Sequence, residues 1–596
     1  MRRYVFALGC LALLLAGCAR ATPTPPPPPT VTPTPLPTPL PTPTPEPEPL
    51  RLVVCSSEPV AVSPFLPSQA GNDLLALFLE PPVARVNYQW TPRLVERVPT
   101  LEHGDVITRM VTVFEGARYA ENGAIRIHEG SVPLELPQLT VTFTLKSNLR
   151  WSNGEPLDAQ DFIFSYHLAQ SNEAYGTWHQ LVKRTARFVA LDSRHLQWVG
   201  IPGFVTTDYP GFLFPPQPAH RWQGQILGQI VQDRTPPATG PFKITAWEAH
   251  REVRLERNPY YHGDAPKLDE VIARFPQQSL EHWPRLLTEG QCDVILPDPV
   301  NATDWRTWAT LAFQREAVIW ANAAPVMLRL DINLDPLRDA ASPLADLDVR
   351  QAIARCIDRE KLSTVLPGEA LIPADGFIPP GHPAYRATRS PHDPEAAQAA
   401  LEAAGWHAPD DDAIRTARGV QGIADGTPLS ITMHLAPQYF VTAAHIAADL
   451  EQCGVGVQPL LTEMQLLYAN TEASPLFGRT FEMALFGWQA EIPHICGAWF
   501  SSHIPSAENN WAYENVSGFA SEAYDAACER AIQAVDPATQ QAALREAEAL
   551  LNAELPTLFL TWRPYWFIAR PKVQGVRPDA SATGALWNIG DIYLGD

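Results

Sequence analysis

The sequence predicts an α/β protein with at least two lobes, and three observations support that fold class. Strand-like apolar runs alternate with helical stretches over most of the chain, as expected for sheets covered by helices. The chain has 596 residues, whereas a single hydrophobic core stops growing near ~250–300 residues. Hydrophobic residues make up 45% of the chain and charged residues 18%, which provides enough apolar surface for such cores.

The charge balance narrows the class of partner. Lys and Arg number 44 against 65 Asp and Glu, for a formal net charge of −21. A protein that binds nucleic acid through its phosphates needs a basic surface. We therefore expect no nucleic-acid partner.

Residues 1–18 have the organisation of an export signal. Met1-Arg2-Arg3 is basic, and residues 4–16 form an apolar run that is shorter than the ~20 residues of a membrane span. The run ends in Leu15-Ala16-Gly17-Cys18, which resembles a bacterial lipobox. That resemblance implies a diacylglycerol on Cys18, and an ordinary signal peptide with a chance cysteine is the alternative.

A Thr/Pro-rich linker follows at residues 19–50. Fifteen of the 61 prolines lie within residues 21–50. Proline fixes φ and lacks a backbone donor, so this stretch favours extended polyproline II over helix or sheet. We interpret it as a spacer that holds the folded body away from a membrane, with a proline-rich recognition ligand as the alternative.

The elements of the body follow from local patterns. Residues 141–146 alternate at period two, which predicts a half-buried strand. Asp158, three residues before Asp161, predicts a helix start with an acidic first turn. Further helix starts are predicted at Asp348, at Asp393-Pro394 and at Asp536-Pro537. Strands alternating with helices in this way favour largely parallel strand pairing.

Catalytic motifs are absent from the sequence. It contains no phosphate-binding loop, dinucleotide fingerprint, zinc-protease helix or serine-hydrolase elbow. His494, Cys496 and His503 form the one plausible metal cluster, and ordinary loop residues are the preferred interpretation. We expect a protein that is not an enzyme and that uses no cofactor.

Two long segments resemble one family. The first runs from VTFTLK at residue 141 through WSNGEPLDAQDF at residue 151, and the second contains TGPFKI at 239, LERNPYY at 255 and APKLDE at 265. Both are similar to the extracellular solute-binding proteins of family 5, the peptide/nickel class that serves ABC importers. The resemblance covers residues 51 to about 575.

The resemblance implies a two-lobed periplasmic-binding-protein-like fold (type II, cluster C-like) with an inserted subdomain and a hinge. Two or more chain crossings between lobes permit closure and resist twisting. The implied segments are 51–95, 236–320 and 556–596 for lobe I, 96–235 for the inserted subdomain and 321–555 for lobe II.

The resemblance also implies ligand-binding residues. Glu491, in Gly487-Trp488-Gln489-Ala490-Glu491, stands where peptide binders place an Asp against the ligand's α-ammonium. Trp488 would line the pocket, with a core role as the alternative. His434 aligns roughly with a pocket aromatic, with a plain strand-end histidine as the alternative. Leu485 stands where some oligopeptide binders carry a carboxylate-binding Arg.

The resemblance further implies a disulfide between Cys55 and Cys292. The remaining cysteines of the body, Cys356, Cys453, Cys496 and Cys528, form no Cys-x-x-Cys pair, so zinc-ribbon and thioredoxin-like sites lack support. Export makes further disulfides possible.

The function implied is capture of a solute, first of all a peptide, and its delivery to ABC permease subunits. A nickel chelate or an oligosaccharide is the alternative within the family, and an anchored extracellular hydrolase is the alternative outside it. The protein is expected to be a monomer, exported and lipid-anchored on the outer face of the cytoplasmic membrane.

Overall fold

The computed structural model describes residues 49–121, 124–296, 305–334, 342–365, 372–388, 391–409, 414–489 and 494–595. The predictions for the export signal, Cys18, the Thr/Pro linker and Glu491 lie outside these residues.

The body is a mixed helix and strand structure. Its strands are β1 Arg51–Ser56, β2 Val83–Val86, β3 Gln89–Pro92, β4 Val106–Val113, β5 Arg118–Glu121, β6 Ala124–Ile127, β7 Leu134–Thr144, β8 Thr185–Ala190, β9 His195–Gly200, β10 Phe242–Glu248, β11 Glu252–Arg257, β12 Glu270–Arg274, β13 Val294–Leu296, β14 Val318–Ile332, β15 Ile372–Pro373, β16 Trp406–His407, β17 Thr416–Ala417, β18 Ser430–Leu435, β19 Gly456–Leu461, β20 Met483–Gln489, β21 Thr557–Ala569, β22 Val573–Gln574 and β23 Tyr593–Leu594.

The α-helices connect and cover these strands. They are α1 Gln69–Phe78, α2 Ala159–Ala169, α3 Thr177–Arg184, α4 Ala219–Trp222, α5 Leu227–Ile230, α6 Trp283–Thr288, α7 Trp305–Phe313, α8 Leu347–Cys356, α9 Arg359–Val365, α10 Pro394–Ala403, α11 Phe440–Gln452, α12 Met464–Leu467, α13 Glu522–Gln533 and α14 Pro537–Glu554.

One sheet runs through both lobes. Its order is β10-β11-β12-β1-β13-β21-β14-β20-β18-β19, and β15 pairs with β21 beside this path. The long strands β14 and β21 lie antiparallel in the middle, with register irregularities between Ala323 and Met327 and between Leu328 and Arg329. One end of this pair adjoins β13 of lobe I, and the other end adjoins β20 of lobe II. These two strands are therefore the chain crossings between the lobes, as expected for a hinge.

The prediction of largely parallel pairing is wrong. Within the described sheet, β1 pairs in parallel with β12 and β13, and β18 pairs in parallel with β19 and β20. The pairs β10–β11, β11–β12, β13–β21, β14–β20 and β14–β21 are antiparallel. A tight hairpin makes β10–β11 antiparallel, whereas parallel strands need a crossover such as α11 between β18 and β19.

The inserted subdomain has its own sheet and core. The sheet order β4-β7-β9-β8 is antiparallel throughout. Trp151, Phe162 and Trp198 are fully buried in the core beneath it, and Phe65 and Leu94 from the preceding segment pack there too. Strand β7 buries Val141 and Phe143 and leaves Thr142 and Thr144 half-buried, which confirms the predicted alternation.

Helix starts were predictable because capping is local. Asp158 caps α2 in a capping box with Asp161, and Asp393 and Asp536 cap α10 and α14 as predicted. The predicted cap at Asp348 is wrong. Helix α8 begins at Leu347, so the cap is Asp346, whose Oδ1 accepts a hydrogen bond from the backbone N–H of Asp348 at 2.9 Å.

Candidate functional site

A cavity of about 1200 Å³ lies between the lobes. We call it the cleft. Its lining comes from the segment after β1, from the inserted subdomain, from lobe II and from the crossing strand β21, which contributes Trp562. Ligand pockets of proteins typically measure ~300–1000 Å³, so this volume is enough for a ligand larger than a single amino acid.

The wall opposite lobe II, called the lobe I wall, is formed by Arg85, Tyr88 and Trp90 of lobe I and by Trp178 and Arg184 of the inserted subdomain. The turn between β2 and β3 puts Tyr88 in the left-handed region with φ 58°. The backbone N–H of Tyr88 donates to Ser581 Oγ at 2.9 Å. The Arg85 guanidinium carbon lies 5.2 Å from the Trp90 ring centroid and 5.9 Å from that of Tyr88. This wall therefore presents cations together with aromatic rings.

The turn at Tyr88 also reaches lobe II. The rings of Tyr88 and His382 meet edge to face, with centroids 5.0 Å apart. Burial raises the pKa of Tyr88 to about 12. Burial, with the nearby Arg85 and Arg545, lowers the pKa of His382 to about 4. Both rings are therefore neutral near pH 7, and the contact between the lobes here is an aromatic one.

The lobe II wall is defined here as Phe500, His503, Tyr513 and Ile532. The rings of His503 and Tyr513 are stacked with centroids 4.6 Å apart. His503 Nδ1–H donates to the Gly497 carbonyl at 2.7 Å, and burial is the main cause that lowers the pKa of His503. The rings of this wall are therefore neutral near pH 7, and the exposed Glu514 adds one carboxylate to the same side of the cleft.

The support of the lobe II wall lies behind it. A disulfide joins Cys496 to Cys528 on α13, and the Tyr524 hydroxyl donates to the Cys496 carbonyl at 2.7 Å. Asn515 Nδ2 donates to the Phe500 carbonyl at 2.9 Å. These contacts hold the segment that carries Phe500 and His503 in one conformation.

Of the predicted site residues, Trp488 lies on β20, beside the cleft but outside its lining. It is half-buried, and its ring packs edge to face on Phe486 with centroids 5.9 Å apart. The neighbouring Gly487 allows the Tyr439 hydroxyl to approach the strand, because a Cβ there would lie 2.6 Å from it. His434 is also outside the cleft lining, and its Nδ1 lies 3.1 Å from Thr462 Oγ1.

A buried arginine stands beneath Trp488. Arg329 on β14 is fully buried, and its guanidinium carbon lies 4.7–5.2 Å from the ring centroids of Phe486, Trp488 and Trp499. Its Nη2 is 3.1 Å from Asp331 Oδ2. An ion pair with three aromatic faces around it thus underlies this part of lobe II.

The structure pairs the six cysteines of the body. Cys55 and Cys292, the pair implied by the resemblance, form a disulfide with Cα atoms 5.8 Å apart. Cys356 is joined to Cys453, and Cys496 to Cys528. The hypothesis of a metal cluster at His494, Cys496 and His503 is wrong for Cys496, because a sulfur in a disulfide is no thiolate ligand. Among the described residues, no group of three or more His, Cys, Asp or Glu is arranged to hold a metal ion.

Sequence reasoning missed the residues that line the cleft. They come from short loops and helix ends far apart in the chain, and their residue types carry no fixed spacing. The only local signal was the concentration of aromatic residues, 17 Trp, 15 Tyr and 23 Phe in the chain, most of which a core also needs.

Comparison with known proteins agrees with the architecture. The family profile described as bacterial extracellular solute-binding proteins, family 5 middle, matches residues 135–499. A Brucella ovis protein named as an ABC transporter peptide-binding protein is 25% identical over 458 residues, which cover 73% of this chain and 77% of that protein.

Two solved structures share the fold. An ABC transporter substrate-binding protein from Sinorhizobium meliloti is 17% identical with a TM-score of 0.67, covering 92% of this chain and 100% of that one. An oligopeptide-binding protein from Thermus thermophilus, solved with a pentapeptide, is 19% identical with a TM-score of 0.55, covering 91% and 96%. Among the described residues, no helix is both long and apolar enough to cross a membrane. The family profile spans more than half of the chain and the two-lobed fold matches, so this protein belongs to the bacterial extracellular solute-binding proteins of family 5.

Proposed function

We propose that this protein is the solute receptor of an ABC importer and that its solute is a peptide bound in the cleft. The observation that carries this proposal is a cavity of about 1200 Å³ lined from both sides of two crossing strands. The relative from Brucella ovis, named for peptide binding, points to the same class of solute. The receptor role requires closure around the solute and release to a permease, with no bond made or broken.

The hinge supports capture and release. Strands β14 and β21 keep their antiparallel pairing on both sides of the irregularity between Ala323 and Met327. A break in register concentrates bending at one place, because the ladder hydrogen bonds are interrupted there. Closure would bring the lobe II wall towards the lobe I wall and exclude water from the solute.

We also propose that a lipid on Cys18 anchors the protein to the membrane. Cys18 would carry the lipid, and the Thr/Pro linker would let a monomeric body reach the permease from the outer face of the cytoplasmic membrane. Cys18→Ser is expected to release the protein from the membrane fraction after export. Membrane retention of that variant would contradict lipidation at Cys18.

Glu491, Trp488 and His434 remain proposed solute contacts. Glu491 would accept hydrogen bonds from the α-ammonium of the peptide, since an enclosed cation needs an opposite charge. Glu491→Gln keeps the size of the side chain and removes its charge. We expect weaker binding of peptides with a free α-amine and unchanged binding of N-acetylated peptides. Equal losses for both kinds of peptide would contradict this role.

Calorimetric titration of the full chain with a pool of tri- to pentapeptides tests the function. We expect peptide binding and no heat with nickel plus histidine or with oligosaccharides. Nickel binding without peptide binding would overturn the choice of solute. Turnover of chromogenic peptidase or glycosidase substrates above a Glu491→Ala control would overturn the receptor role.

A further inference from the structure

A second cavity, of about 460 Å³, lies beside the cleft. We call it the side cavity. Its lining comes from α1, from the β2–β3 hairpin, from residues 261–264, from the C-terminal residues 582–591 and from Lys146, Thr177 and Trp178 of the inserted subdomain. Of the described residues that line it, none lies between 321 and 555, so the movement of lobe II leaves its walls intact.

The side cavity and the cleft share a wall. The residues that line both are Pro67, Asn72, Arg85, Thr177 and Trp178. Arg85 therefore stands at the border between the two spaces, and a ligand that lies along the lobe I wall of the cleft ends next to the side cavity.

Two of the three acids of the side cavity, Glu80 and Asp591, already have partners. Glu80 is buried, accepts a hydrogen bond from the Tyr261 hydroxyl at 3.2 Å and lies 2.6 Å from His262 Nε2. Asp591 forms an ion pair with Arg577. Asp264 is exposed at the rim. The one buried carboxylate of the cavity, Glu80, is therefore held by two side-chain partners, whereas Asp264 and Asp591 are exposed.

The cations of the side cavity have fewer ion pairs and hydrogen bonds than its acids. The nearest carboxylate oxygen to Arg85 is Asp208 Oδ1, 3.7 Å from Nη1, and the buried Nε of Arg85 has no hydrogen-bond partner. Arg93 Nη1 lies 3.8 Å from Glu80 Oε1. Within the described chain, the Lys146 ammonium has neither an ion pair nor a hydrogen bond. The contacts of Arg85 and Arg93 with these carboxylates are too long for hydrogen bonds. Three cations therefore line the cavity with N–H groups available to a ligand.

We propose that the side cavity binds a carboxylate group of the solute, with Arg85, Arg93 and Lys146 as the donors. This inference rests on the proposed function, because the rest of the solute lies in the cleft. A carboxylate in a half-enclosed space needs charge-assisted hydrogen bonds, and two guanidinium groups and one ammonium group supply them. Carboxylate recognition would then lie between lobe I and the inserted subdomain, and it would not need an Arg at the Leu485 position in lobe II.

Matched peptides test the proposal. Tri- to pentapeptides with a free C-terminal carboxylate and the same peptides as C-terminal amides are titrated into the full chain by calorimetry. We expect the acids to bind at least about ten-fold more tightly, as hydrogen bonds to a charged group predict. Arg93→Gln and Lys146→Gln should each reduce the ratio of the affinity for the acid to the affinity for the amide. Arg530→Gln, a surface change at an ion pair with Glu546 on α14, should leave it unchanged.

The outcomes separate the two proposals. Equal affinity for acid and amide in the native protein overturns the carboxylate site and leaves the peptide receptor standing. Absence of heat with either set overturns the peptide receptor. In that case a small dicarboxylate, malonate, replaces the peptide as the probe.

Malonate tests the site without a peptide. Malonate, compared with chloride at equal ionic strength, should raise the unfolding temperature of the native protein and of Arg530→Gln. The double variant Arg93→Gln/Lys146→Gln should lose this rise while keeping its circular dichroism spectrum. A rise of equal size in the double variant, or no rise in the native protein, overturns the inference.

Discussion

The two walls of the cleft differ in the positions of their charged side chains. The lobe I wall presents Arg85 and Arg184 at its surface between aromatic rings. The lobe II wall presents neutral rings with the exposed carboxylate of Glu514 next to them, and the buried pair of Arg329 and Asp331 lies behind it. A surface that recognises a charged group must leave its charges accessible, whereas a surface that packs against apolar groups needs only rigid support. We infer that the lobe I side recognises negatively charged groups of the solute, whereas lobe II contributes aromatic packing and a single carboxylate.

Removal of the disulfides should give the largest change in stability and tests the difference between the two walls. Replacing Cys55 and Cys292 by Ser should lower the free energy of unfolding by about 5 kcal/mol, and replacing Cys496 and Cys528 by about 3–4 kcal/mol, because the first pair closes the longer loop. Denaturant unfolding measures both changes. Solute affinity should fall only in the second variant, since that disulfide supports the lobe II wall. An equal loss of affinity in both would contradict the comparison.

The buried ion pair gives the next largest effect. Asp331→Ala leaves the fully buried Arg329 without its counter-ion, which should cost about 3–5 kcal/mol of unfolding free energy. Tryptophan fluorescence should shift as well, because Trp488 and Trp499 pack on the guanidinium. Asp192→Ala, at an exposed pair with His195, is the matched control and should change stability by less than about 1 kcal/mol. If Asp331→Ala lost as little stability as the control, Arg329 would not depend on Asp331.

A buried carboxyl behind the lobe II wall predicts a pH dependence. Glu548 accepts a hydrogen bond from the backbone N–H of Ile378 at 2.9 Å, and burial raises the pKa of this carboxyl to about 7. The folded state therefore binds the proton more tightly than the unfolded state. Its contribution to stability is present below about pH 4.5 and is lost as the pH rises through 7, with a total of about 3 kcal/mol.

Glu548→Gln isolates this contribution. The difference in unfolding free energy between the native protein and the variant should change by about 2.5 kcal/mol between pH 5 and pH 8, with the native protein less stable relative to the variant at pH 8. Denaturant melts at the two pH values measure it. A pH-independent difference would mean that Glu548 is ionised in the folded protein throughout this range.

The smallest expected effect concerns solute stacking. Tyr513→Ala removes the ring stacked on His503 and should weaken binding of peptides with aromatic side chains by about 1 kcal/mol, close to five-fold. Phe313→Ala, a change at a side chain that is 90% exposed, should leave affinity unchanged. Calorimetry compares aromatic and aliphatic peptides. An equal loss for both peptide classes would remove the distinction between the walls.

Much of the fold was predictable because its determinants are local. The caps at Asp158, Asp393 and Asp536 act within one helical turn, and the alternation of residues 141–144 reports burial of one face of a strand. The direction of strand pairing was not predictable in the same way. It depends on which strands become neighbours, and β14 and β21 meet across more than 200 residues of chain.

The sequence by itself was enough to identify the α/β class, the family and the starts of α2, α10 and α14, and it predicts the export signal and the linker. Each of these depends on residues close together in the chain or on long motifs kept in order. Only the tertiary structure decided which residues face the cleft, which cysteines pair beyond Cys55 and Cys292, and which cations are left with free donors. Those properties depend on distances between side chains such as Arg85 and Asp208, which folding sets and local sequence does not encode.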